Sequence, residues 1–176
     1  LLYTDFSSSK PMSELVMLCG IPTSGKSTYV QKLLKIPYWS DAVVLSTDNY
    51  IEKEAKRLNL TYNEIFDDVI DNATRELEIQ FNMAKDKGKD IIWDQTNLSI
   101  KTRRKKLSKL SSYYSRGIVY FQISLEEALE RNKHRDGKFI PESILKRMHH
   151  QFEAPTKEEG FDYIESVQSE NWHKTT

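Results

Sequence analysis

Short apolar runs alternate with longer amphipathic stretches along most of the chain. The run Leu15-Val16-Met17-Leu18-Cys19, closed by Gly20, predicts a buried strand over Glu14 to Cys19. Val43 to Ser46, Asp90 to Trp93, Ile118 to Ile123 and a short Phe161 to Ile164 read as four more strands. Between them lie helical patterns. One runs from Lys26 to about Leu34. A long one carries Ile65, Val69, Ala73, Leu77, Phe81 and Ala84 at spacings of three and four, with Gly88 placed to end it. Ser99 is a cap for a basic helix reaching about Ser112, and Ser124 with Glu127 forms a capping box for the next. Pro141 suits the first turn of a last helix ending near Phe152. Strands alternating with helices predict an α/β fold, a parallel sheet of about five strands with helices on both faces. The expected organisation is a tail or linker over 1–13, one folded domain over 14–167 and a tail over 168–176, with the linker character concentrated in Ser7-Ser8-Ser9-Lys10-Pro11. No internal repeat and no low-complexity tract is present.

Composition narrows the class. At 176 residues the chain suits one domain with a substantial core. Lys+Arg and Asp+Glu both number 26, so any polyanion must meet a local basic patch and not a global field. No apolar run approaches a membrane span, so no membrane partner is expected. Leu1 to Pro11 lack the basic start and apolar stretch of a secretion signal, which points to an intracellular setting, cytoplasm and nucleus alike. The single cysteine, Cys19, lies in the first apolar run, which excludes an internal disulfide and predicts a buried, inert thiol.

The candidate chemistry starts at the first strand's end. Gly20-Ile21-Pro22-Thr23-Ser24-Gly25-Lys26-Ser27 fits G-x-x-x-x-G-K-[ST], after a strand and opening a helix. Glycines let backbone N–H groups wrap phosphate oxygens, and the helix N-terminus favours the anion. Lys26 can reach the β- and γ-phosphates and Ser27 can ligate magnesium. Gly20, Thr23, Ser24, Gly25, Lys26, Ser27 and Thr28 are therefore the candidate set for a nucleoside triphosphate, ATP or GTP, with Mg2+.

Two aspartates fall where ligands of open α/β sheets collect, beyond the carboxyl ends of strands: Asp48 after the second and Asp94 after the third. Either can serve as general base toward a hydroxyl, or order magnesium or the acceptor. The structural alternatives are an N-cap for Asp48, on a helix starting near Asn49, and an Asx-turn for Asp94. Arg131 and Arg135, four apart at a helix end before the turn Asp136-Gly137-Lys138, would share a face and suit a lid over a triphosphate; the alternative is solvated arginines favoured by the helix dipole. The cluster Lys101-Thr102-Arg103-Arg104-Lys105-Lys106 reads either as a solvated helix face or as a polynucleotide contact. His149 and His150 are adjacent and diverge on a helix, one packed and one exposed, so they form no metal pair.

Taken together these segments resemble the kinase domain of polynucleotide 5′-hydroxyl kinases, of both the bacteriophage type and the animal kinase–phosphatase repair enzymes. The resemblance runs from about Leu15 to Ile164. It rests on the phosphate loop, on Ser46-Thr47-Asp48-Asn49-Tyr50, on Asp94-Gln95-Thr96-Asn97, on Glu130-Arg131-Asn132-Lys133-His134-Arg135, and on Gln151 to Thr156 with Glu159-Gly160-Phe161. It implies a P-loop kinase fold with an arginine-bearing lid. It implies that Asp48 is the general base, that Arg135 acts on the donor phosphates with Arg131 assisting, and that Asp94, Thr96 and Asn97 order the site or the acceptor. The implied acceptor is single-stranded or end-exposed nucleic acid. Two departures stand out. Phage relatives carry an acceptor-binding arginine three residues after the catalytic aspartate, where this chain has Ile51, and the stretch Glu52 to Asn63 is expected to shape a different acceptor pocket. No D-x-D-x-T/V phosphatase motif is present. A P-loop kinase of another acceptor and a non-catalytic nucleotide-binding module are the competing readings; a pure binder has no use for a base.

Overall fold

The apolar run after Met12 becomes the central strand β1 (Ser13–Cys19), every residue of which is buried except Glu14. A computed structural model describes residues 12–169; the linker expected at Ser7–Pro11 lies outside the described residues, as does 170–176. The remaining strands are β2 (Val43–Leu45), β3 (Ile91–Asp94), β4 (Tyr114–Gln122) and β5 (Tyr163–Gln168), in the spatial order β2-β3-β1-β4-β5. All four pairings are parallel, with Leu18 opposite Asp94 and Cys19 opposite Tyr120. Parallel strands need crossovers, and the helices supply them. These are α1 (Lys26–Leu34), α2 (Thr47–Leu58), α3 (Tyr62–Asp86), α4 (Ile100–Leu107), α5 (Leu125–Asn132) and α6 (Glu142–Gln151).

Alternation along β1 divides the core. Leu15, Met17 and Cys19 face Leu77, Phe81 and Ala84 of α3 and Leu107 of α4, while Val16 and Leu18 face Val30 and Leu33 of α1. Asn59, in the left-handed conformation, ends α2 and turns the chain into α3, so that the two helices pack as a hairpin on Ile51, Ala55, Ile65 and Ala73. Ile51 is fully buried in that cluster and presents nothing to a ligand.

Four boundaries depart from expectation, each for a local reason. The Thr61–Glu64 capping box starts α3 at Tyr62, three residues ahead of the first apolar position of its stripe. The basic helix α4 stops at Leu107 and a turn follows, which lets β4 begin at Tyr114 instead of Ile118. Tyr114 is drawn into the sheet because its hydroxyl donates to the Ala84 and Lys89 carbonyls. The last strand begins at Tyr163, two residues after Phe161, and runs on through Gln168, with the Ser169 N–H donating to the Gln122 carbonyl. Phe161 itself is buried in the α3-side core.

Candidate functional site

The phosphate loop turns out of β1 through two left-handed residues, Thr23 (φ 78°) and Gly25 (φ 102°). At Gly25 a Cβ would meet nothing within 4 Å, so the loop's concave side is open, with the N-terminus of α1 behind it. Lys26 donates to the carbonyls of Gly20 at 2.8 Å and Ile21 at 2.9 Å, curled back onto its own loop. Burial pulls its ammonium down to about 8, against the opposing pull of Asp94 and Asp48. The Ser24 hydroxyl is buried and without a partner among the described residues.

The loop is fastened from both sides. The Gly20 N–H donates to the Thr96 carbonyl at 2.9 Å, and Asn97 (φ 46°) donates its amide to the Leu18 carbonyl at 2.7 Å. Arg131 donates to the Thr23 carbonyl at 3.0 Å and to Ser169 Oγ at 2.7 Å, with Glu127 on its Nε. Thr96 and Asn97 thus act through the backbone of the loop, Thr96 by its carbonyl and Asn97 by its side chain.

Asp48 does not cap its helix. Ser46 does, accepting from the Asn49 N–H, and Asp48 falls in the first turn with its side chain about half exposed. Its Oδ1 accepts from the Tyr62 hydroxyl at 2.6 Å, and Lys138 Nζ lies 3.3 Å from its Oδ2. Asp94, at the end of β3, is pushed up by burial while the Lys26 ammonium pulls it down. Ser27 and Asp94 line one cavity of about 350 Å³, together with Gln31, Val44, Asn49 and Glu52. A hydroxyl and a carboxylate are the hard oxygen donors magnesium takes. No group of three or more His, Cys, Asp or Glu side chains able to hold a metal occurs among the described residues, so a magnesium ion here would draw its other oxygens from phosphate and water.

The two arginines do not share a helix face. α5 ends at Asn132, and Arg135 lies beyond it in a run of tight turns. Arg131 points to the phosphate loop, whereas Arg135 answers electrostatically to Asp48, Tyr62 and Glu52. Burial lowers the Arg135 pKa, and its Nη1 is buried with no acceptor among the described residues. An unpartnered buried guanidinium donor is costly unless an anion takes it.

The basic cluster divides in three. Arg103 is fully buried, paired with Glu159 at 2.7 Å and donating to the carbonyls of Asn97 and Leu98. Lys106 reaches Gln95 Oε1 at 2.9 Å and also donates to Asn97 Oδ1, and burial lowers its pKa to about 8. Both are ties that hold the segment 94–97, so neither of the expected readings applies to them; Lys101, Arg104 and Lys105 remain exposed. Arg103 also donates to the Cys19 thiol, whose pKa burial raises to about 11, leaving it unreactive. His149 is partly covered and His150 exposed. Among the described residues no helix is long and apolar enough to cross a membrane.

A parallel five-stranded sheet flanked by helices, with a phosphate loop at the carboxyl end of its central strand, is the P-loop kinase fold. A family profile described as AAA domain matches residues 15–155, and the chain belongs to that family. The bifunctional polynucleotide phosphatase/kinase of Schizosaccharomyces pombe is 24% identical over 160 residues, which cover 88% of this chain and 33% of that protein; the chain thus spans about a third of the relative's length. Among solved structures, a protein of Chloroflexus aurantiacus named a presumptive kinase superposes with a TM-score of 0.70 at 17% identity, over 96% of this chain and 91% of that one. A chain of the Pnkp1/Rnl/Hen1 RNA repair complex superposes at 0.63 and 22%, over 84% and 46%. These superpositions place the fold.

Proposed function

We propose that this chain transfers the γ-phosphoryl group of ATP or GTP, with Mg2+, to the 5′-hydroxyl end of a polynucleotide, as an intracellular end-repair activity carried by the unit 14–167. The observation that carries the transfer chemistry is a convergence. The charges of Asp48 from α2 and Arg135 from beyond α5 both act on Lys26 of the loop, Asp48 acts on Arg135 as well, and Arg135 has a buried Nη1 with no acceptor among the described residues. The acceptor hydroxyl donates to Asp48. Its oxygen bonds to the γ-phosphorus as the bridge to the β-phosphate breaks, and its proton passes to the carboxylate. Lys26 swings from its carbonyls to the β- and γ-oxygens, and Arg135 neutralises charge on the transferring group. Arg131 keeps the loop in shape. Magnesium, when bound, would supply charge neutralisation of the phosphates, and Ser27 and Asp94 are the residues whose oxygens would hold it.

The S. pombe relative and the five sequence segments described above support the polynucleotide acceptor. A second reading, a small neutral hydroxyl acceptor, draws on the cavity beside Ser27, which is lined by Glu52, Asp94, Asn49 and Gln31 and by no lysine or arginine. Incubation with γ-labelled ATP and Mg2+ against 5′-hydroxyl DNA, 5′-hydroxyl RNA, nucleosides, hydroxymethyl-pyrimidine DNA and small polyols separates them. Label on oligonucleotide 5′ ends is the expected result. Label on polyols or nucleosides alone overturns the polynucleotide reading, and label on nothing overturns the kinase reading.

A further inference from the structure

Asp48 is in contact with the segment that follows α5. The segment between α5 and α6 docks on the α2–α3 corner: the Asn63 N–H donates to the Gly137 carbonyl at 2.9 Å and the Asn63 amide to the Phe139 carbonyl at 2.8 Å. Gly137 (φ 69°) permits that closeness, since a Cβ there would stand 2.9 Å from Thr61 Cβ. Docking brings Lys138 Nζ to 2.7 Å from Glu52 Oε1, 3.3 Å from Asp48 Oδ2 and 4.9 Å from the centroid of the Tyr62 ring. Both oxygens of Asp48 are then engaged, by Tyr62 on Oδ1 and Lys138 on Oδ2.

The two engagements differ in kind. Tyr62 packs against the buried apolar cluster of the α2–α3 hairpin, and burial with the Asp48 bond raises its phenol pKa, so it stays a donor. Lys138 is on a lid segment, at longer range from Asp48, and its shorter bond is to Glu52, a second carboxylate one helical turn on.

We propose that Lys138 is a latch on the catalytic base: it bridges Glu52 and Asp48 Oδ2, an acceptor hydroxyl takes over Oδ2 and leaves Lys138 on Glu52 alone, and Tyr62 holds the carboxylate in place throughout. The proposal rests on the phosphotransferase reading of the same site. Its function is to keep water from being used as the acceptor. In that side reaction a water oxygen would bond to the γ-phosphorus, the bridging bond to ADP would break, and the water's proton would pass to Asp48. With Lys138 at Oδ2, that water must compete with the ammonium for the oxygen that would take its proton.

The test compares wild type with Lys138→Met, Lys138→Arg and Tyr62→Phe in two assays, transfer to the acceptor that the labelling experiment identifies and ATP hydrolysis with no acceptor. Lys138→Met should raise acceptor-free hydrolysis and lower the acceptor KM, each by roughly two- to fivefold, the factor a partly exposed ion pair supplies. Lys138→Arg should restore the wild-type values. Tyr62→Phe should lower kcat by about tenfold at unchanged ATP KM, from the loss of one hydrogen bond to a charged group. An active wild type with Lys138→Met unchanged in both assays overturns the latch alone. A melting temperature lowered in Lys138→Met without the hydrolysis gain also overturns it, in favour of a purely structural lysine. A wild type that phosphorylates no hydroxyl overturns the kinase reading beneath it.

Discussion

The donor side and the acceptor side of the site are built differently. The phosphate loop is one continuous segment, 20–27, whose geometry comes from its own glycines and a following helix, with ties from Thr96, Asn97 and Arg131 added around it. The acceptor side has no such segment. It is assembled from the first turn of α2, the first turn of α3 and the lid, which meet through Asp48, Tyr62 and Lys138 across 14 and 90 positions of sequence. On the proposed function, the local device takes the triphosphate and the long-range assembly takes the hydroxyl and what carries it. Changes to the first should therefore cost nucleotide binding, and changes to the second should cost transfer while nucleotide binding survives.

The largest departure from this division is expected at Arg135, which on the proposed function serves the donor from the acceptor-side lid. Arg135→Ala should lower kcat by roughly 10³-fold or more, and Arg135→Lys should rescue poorly because a point charge lacks the planar fork. Steady-state kinetics with the labelled acceptor checks both; full activity in both variants would remove Arg135 from the transfer chemistry. Arg131→Ala should act on the donor side only, raising the ATP KM by about tenfold through the freed Thr23 carbonyl, with a smaller change in kcat.

The Lys26 ammonium gives a pH signature confined to the donor side. In the empty loop it is lowered to about 8. A bound triphosphate favours the charged form, so nucleotide binding takes up a proton wherever the free lysine is neutral. The Kd for ATP should be flat with respect to Lys26 below pH 8 and should rise above it, by up to about tenfold per pH unit. Calorimetric titrations at pH 7, 8 and 9 in buffers of different ionisation heat check this, and Lys26→Ala should abolish the proton uptake. The smallest effect is on the acceptor side. Neutralising the exposed Lys101, Arg104 and Lys105 together should flatten the rise of oligonucleotide KM with salt, by up to about one unit of log–log slope for each phosphate they had neutralised. Neutralising Lys106 should not behave this way, because it holds Gln95 and Asn97.

What is legible in the sequence follows the same division. The strand–loop–helix around Lys26 and the parallel α/β order are readable because each depends on neighbouring residues: an apolar run, glycines, caps. Asp48 and Asp94 are readable as strand-end acids, but the choice between cap and base for Asp48 needs the structure, which gives the cap to Ser46. Arg131 and Arg135 share a face only if α5 continues past both; its end at Asn132 sends them apart. Arg103 and Lys106 look like solvated charges in the sequence because their partners, Glu159 and the 94–97 segment, lie across the fold or at a turn that periodicity does not encode. Tyr62 and Lys138 escape a sequence reading altogether. The capping box Thr61–Glu64 places Tyr62 in a first helical turn, but no local signal links either residue to Asp48.

The most direct test of the account is Asp48→Asn, measured for ATP affinity, melting temperature and single-turnover transfer on the same preparation. Ser46 keeps the helix cap and the amide oxygen can still accept from Tyr62, so the fold should persist. The account predicts near-wild-type ATP affinity and melting temperature with transfer slowed by at least about 10²-fold, the lower range for loss of a general base. Normal transfer in Asp48→Asn, or loss of ATP affinity in step with transfer, would contradict it.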